Sequence, residues 1–210
     1  MTRRDLLASV AAIALTGCAV QTPESGLRFL TPEETASLTA IADRLIPADA
    51  LGPGAGTAGA ARFIDRQLAG AYGTSRDLYM RPPFLPGVPS QGVQSPLTPA
   101  ARYRAGLAGL DAHCRAAFAG SGFADLDGAR QDRVLADLEA GRIMLADGGR
   151  AFFELVLRDT IDGFFADPHY GGNQGMVGWR LIGFPGARYD YREVVARHGE
   201  PYREPPVALA

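Results

Sequence analysis

The sequence contains no lysine; all 21 of its basic residues are arginine, which we read as coding bias rather than chemistry. The glycine-rich stretch 48–56 carries no Gly-Lys-Ser/Thr and follows a helical pattern rather than a strand, so it is not a phosphate-binding loop. Cysteine is almost missing, with two in 210 residues, Cys18 and Cys114. With Cys18 lipidated or removed, Cys114 has no intramolecular partner, so no disulfide framework forms. Two thiols also exclude an iron–sulfur cluster held by this chain alone, and the absence of Cys-x-x-Cys-His excludes covalent haem. Charge of one sign is not in excess: the net charge is −2, which gives no reason to expect nucleic acid as a partner. No segment alternates with period two, and no Gly-x-Gly-x-x-Gly follows a strand, so a dinucleotide or flavin fold is not expected. Asn173 is not a glycosylation sequon, because Gly175 stands in the third position.

What is present begins with an unusual N-terminus. Arg3 and Arg4 precede Leu6-Leu7 and an alanine-rich, mildly apolar run ending near Leu15. That run is too short to span a bilayer, which takes roughly 20 residues, and it has the layout of a signal peptide. The arginine pair resembles a twin-arginine export signal. Leu15-Thr16-Gly17-Cys18 resembles a lipobox, in which two acyl chains on Cys18 would anchor the mature chain stably; ordinary cleavage near Ala19 is the competing reading. We therefore divide the chain into an export signal over 1–18, a tether over 19–30 and one helical domain over 31–210. A hydrophobic content of 47% is enough for a globular core.

Helical signals fill most of the domain. Thr31-Pro32-Glu33-Glu34 reads as a capping box with proline at the first helical position. Leu38, Ile41, Ala42, Leu45 and Ile46 follow at helical spacing until Pro47 stops the run. A second helix is expected from Thr57, with Ala60, Phe63, Ile64, Gln67 and Leu68 recurring. A short third segment is expected around 76–80, ahead of a long Pro/Gly-rich loop to residue 96, and loops of that length are usually functional. Further helices are expected from Thr98 to Phe118, from Asp127 to Ala140, and from Gly148 to Phe165. In the last of these Phe152, Phe153, Leu155, Val156, Ile161 and Phe164 form the apolar face. Cys114, in step with Leu107, Leu110 and Phe118, reads as a buried thiol. The fold class is all-α: an irregular bundle of about six helices with a long loop and an extended, irregular C-terminal arm.

The segment Asp167-Pro168-His169-Tyr170-Gly171-Gly172-Asn173, followed by Gly178-Trp179 and Ile182-Gly183-Phe184-Pro185-Gly186, is dense in glycine and aromatic residues. Glycine permits close backbone approach, and Tyr and Trp combine apolar area with a hydrogen-bonding tip. That combination suits a rigid loop lying against another surface. Together with Ile46-Pro47-Ala48-Asp49, Gly52-Pro53-Gly54-Ala55 and Phe63-Ile64-Asp65, this segment resembles the small subunit (subunit 3) of membrane-bound gluconate 2-dehydrogenase and related sugar dehydrogenases. The resemblance implies an accessory subunit with no catalytic residues and no cofactor of its own. It implies a large FAD-dependent partner of the glucose–methanol–choline class, with electrons leaving through a multihaem cytochrome c subunit or another acceptor. It also implies a periplasmic, membrane-associated complex, reached here by the twin-arginine signal.

On this reading Asp167, His169, Tyr170, Gly171, Gly172, Asn173, Trp179, Phe184 and Pro185 form the predicted partner interface, anchored by Tyr170, Trp179 and Phe184. The alternative is a free-standing exported lipoprotein or metal-dependent enzyme using Asp167 and His169. Asp162 and Asp167 lie five residues apart, about 140° around a helix, so they share a site only if the helix ends between them. A mononuclear site needs three or more protein ligands, and His113 and His198 are distant in sequence.

Overall fold

The computed structural model describes residues 26–209 apart from 86, 92, 93 and 147. Arg3, Arg4, Cys18 and the first part of the tether lie outside the described residues. Six α-helices are present among those described: α1 Pro32–Leu45, α2 Ala60–Leu68, α3 Pro99–Ala117, α4 Gly128–Glu139, α5 Gly149–Phe165 and α6 Val177–Ile182. Extended pairing among them is limited to two isolated bridges, Asp49 with Gly52 and Gly186 with Val207. No described helix is long and apolar enough to cross a membrane.

The helix starts follow their capping chemistry. Thr31 Oγ1 accepts from the Glu34 amide at 3.2 Å, while the Glu34 carboxylate accepts from the Thr31 amide at 2.8 Å. Two of the donors that a helix N-terminus leaves unpaired are thereby satisfied. Thr98 and Asp127 cap α3 and α4 in the same way, accepting from the Ala101 and Arg130 amides. α2 starts three residues later than its periodicity suggests, because 54–59 is taken up by consecutive turns, Ala58 donating to Gly54 and Gly59 to Gly56.

Three expectations are corrected. Residues 76–80 form no helix; they continue a series of turns, and Leu78 and Tyr79 face solvent. A single turn with no apolar face to bury does not repay its nucleation cost. Ile161, expected on the apolar face of α5, is exposed. The segment after α5, expected to be irregular, contains α6.

α5 is the central element and packs against each of the other five helices. Its buried face, with Phe152, Phe153, Leu155 and Val156, joins one core with Leu38 and Ile41 of α1, Ile64 and Leu68 of α2, Tyr103, Leu107 and Leu110 of α3, and Val134 and Leu138 of α4. A second, smaller cluster of Ala42, Ala55, Ala58, Ala60 and Phe164, with Ile46, Phe165 and Val177 against it, occupies the far end of α5. Ahead of α1, the Asp65 carboxylate accepts from three successive amides, Arg28, Phe29 and Leu30, at 2.8–2.9 Å. The end of the tether is thus fastened to α2.

Candidate functional site

Two segments far apart in sequence meet at that far end of α5. The first is the turn after α1. Asp49 closes its tip by accepting from the Leu51 amide at 2.8 Å, and the Ala55 amide donates back to the Ile46 carbonyl at 2.9 Å. Asp43 holds its far side, accepting from the Gly56 amide at 2.8 Å.

The second segment follows α5. Asp167 accepts from the His169 amide at 2.9 Å and sets a single helical turn over Pro168–Tyr170. Gly172 then passes so close to α5 that a Cβ there would stand 2.1 Å from the Gly163 carbonyl oxygen; only glycine fits. Asn173 is fully buried, its Nδ2 donating to the Ala166 carbonyl at 2.9 Å and its Oδ1 accepting from the Gly178 amide at 2.8 Å. The amide of Gln174 donates to the Ala58 carbonyl at 2.9 Å, tying the second segment to the first. Met176 opens α6 at φ +57°, a left-handed conformation that strains a non-glycine residue and that is often found at functional sites.

Trp179 lies inward on α6. It is 5% exposed, donates from Nε1 to the Phe165 carbonyl at 2.7 Å, and meets the Phe184 ring edge-on at 5.1 Å between centroids. The nine residues expected at an interface therefore separate into two groups. Gly171, Gly172, Asn173 and Trp179 are buried within this chain and build the turn, while His169, Tyr170 and Phe184 face outward and Asp167 and Pro185 are half-buried.

Between the two segments runs a groove of about 180 Å³, its walls formed by Ile46, Pro47, Leu51, Pro53, Val177 and Leu181. Two of its wall residues are apolar and open to solvent, Leu51 at 75% exposed and Leu181 at 45%; Ile182 and Phe184, next along the chain, are exposed too. Exposed apolar residues gathered around a groove often mark an interaction site. Sequence reasoning named Phe184 and missed Leu51, Leu181 and Ile182. The available signal was an apolar Leu181-Ile182 pair with Trp179 already occupying the buried face.

One buried polar cluster also escaped the sequence reading. Asp159, inside the core on α5, accepts from Tyr72 Oη at 2.9 Å, from Tyr103 Oη at 3.0 Å and from Arg158 at 2.8 Å. Burial, reinforced by the Asp159 charge, pushes both tyrosine hydroxyls well above their ordinary range, so they remain donors. Asp162 borders the same spot, and its carboxyl is raised first by burial and then by Asp159. The cluster is fully paired and joins α3, α5 and the turn after α2. Among the described residues no group of three or more His, Cys, Asp or Glu side chains converges as a metal site.

The family model described as gluconate 2-dehydrogenase subunit 3 matches residues 32–186, and the chain belongs to that family. No curated protein and no solved structure matches it.

Proposed function

We propose that this chain, as a member of the gluconate 2-dehydrogenase subunit 3 family, is the non-catalytic small subunit of an exported FAD-dependent sugar or sugar-acid dehydrogenase. The flavoprotein, of the glucose–methanol–choline class, carries FAD and the chemistry. This subunit binds it, supports its folding, crosses with it by the twin-arginine route and stabilises it in the periplasm. A multihaem cytochrome c subunit or another acceptor takes the electrons, and the complex sits at the membrane through its other subunits or through a lipid on Cys18.

The observation that carries this reading is the groove. Its two walls come from the segments 46–53 and 177–181, which hold or flank the motifs Ile46-Pro47-Ala48-Asp49, Gly52-Pro53 and Gly178-Trp179 that carry part of the family resemblance. Gly172, Asn173 and Trp179 fasten the second segment to α5 and the Gln174 amide ties it to the first, yet Leu51 and Leu181 in the groove's walls are left apolar and open. A rigid frame around exposed apolar residues is the anatomy of an interface core. Asp167 and His169, the basis of the enzyme alternative, have local roles instead: the carboxylate accepts from the His169 and Leu209 amides, and the imidazole meets the Tyr170 ring.

The direct test is co-expression with the FAD-dependent subunit from the same organism, with an affinity tag on this chain. A yellow, flavin-containing complex of fixed stoichiometry is expected. A colourless tagged chain eluting alone overturns the reading.

A further inference from the structure

We propose that the C-terminal loop 187–206 is a docking arm that lies over the same flavoprotein partner and supplies the polar rim of the face whose apolar centre is the groove. The proposal rests on the subunit reading above. The family match ends at residue 186, so the arm is not covered by that match.

The arm is built to be held at its base and free along its length. Val207 returns to pair with Gly186: the Ala187 amide donates to the Val207 carbonyl at 2.7 Å, and the Val207 amide to the Pro185 carbonyl at 3.2 Å. The Leu209 amide donates to Asp167 at 2.8 Å. Gly186, at φ +75°, permits this closure, since a Cβ there would stand 2.2 Å from the Val207 carbonyl oxygen and 2.8 Å from the Trp179 ring. That indole belongs to α6, whose Val177 and Leu181 line the groove, so the base of the arm adjoins the helix that forms one of the groove's walls.

Between these fixed ends the chain contributes nothing to either hydrophobic cluster. It packs on itself, Tyr191 against Tyr202 and Arg188 over Tyr202, and leaves Tyr189 97% exposed. A closed loop of this length that stabilises no core is usually functional. Tyrosine and arginine, its dominant large side chains, are the residue types enriched at interface hot spots. Its charges balance, with four arginines against four carboxylates. A balanced set gives no attraction to phosphate or to an acidic membrane and fits a polar protein surface near neutrality.

Limited trypsin digestion of the free full-length chain and of the purified complex tests this. The bonds after Arg192 and Arg197, exposed in the free chain, are expected to be cut at least about tenfold more slowly in the complex. Tyr189→Ala is expected to weaken binding of the flavoprotein about tenfold while leaving the melting temperature of the free chain unchanged. An intact complex cut at the free-chain rate, or Tyr189→Ala binding as tightly as wild type, overturns the arm alone. Failure of the wild-type chain to form any complex overturns the arm and the subunit reading together.

Discussion

Trp179 illustrates how one side chain changes meaning once its surroundings are known. A lone tryptophan among glycines reads as an interface anchor, yet here the indole is buried and hydrogen-bonded to the end of α5. Trp179→Ala should therefore cost about 3–5 kcal/mol of folding stability through the cavity it leaves, measured by chemical denaturation of the free chain. An unchanged midpoint, with lost assembly, would return it to the interface. Cys114 makes the complementary point, because its pattern already indicated burial. Burial pushes its thiol up to about 11, and the thiolate, the reactive form, is scarce at any pH below that. The native protein should resist a thiol-labelling reagent at pH 8 and react only on unfolding. Rapid labelling of the folded chain would contradict this.

Five of the six helices were legible from apolar periodicity, and α1, α3 and α4 most sharply because their starts are written in local chemistry: Thr31 with Glu34, Thr98 with Pro99, and Asp127. Capping acts over three or four residues and can be read without knowing the fold. α6 was not legible. It has only six residues, too few to show a helical period, and begins at a strained Met176 with no side-chain cap. It forms because Trp179 docks on α5 and Asn173 captures the Gly178 amide. The opposite error at 76–80 has the same cause, since a plausible local pattern found nothing to pack against. α6 also carries the outward pair Leu181 and Ile182. The double variant Leu181→Ser, Ile182→Ser should change stability by less than about 0.5 kcal/mol, as surface substitutions do. It should nevertheless abolish co-purification of the flavoprotein. A double variant that still co-purifies in full yield would remove the groove from the interface.

The described residues form an α-helical body with an arm closed against it, and the proposed export signal lies ahead of them. Twin-arginine translocation carries folded cargo, which suits the proposed role beside a flavoprotein that encloses its flavin before crossing. Replacing Arg3 and Arg4 together by lysine should then leave both this chain and the flavoprotein in the cytoplasm, as fractionation and flavin content would report. A flavoprotein that still reaches the periplasm would show that it does not travel with this chain. By itself, the sequence determined the class of the fold, the caps, the burial of Cys114 and the family, because each rests on short-range periodicity or on residues that stay adjacent along the chain. The tertiary structure alone decided which face of each motif looks outward. The groove needs two stretches more than a hundred residues apart, and Asp159 meets Tyr72 and Tyr103 only once α3, α5 and the turn after α2 have packed. Exposure depends on every neighbour in space, and a linear pattern lists only the neighbours in sequence.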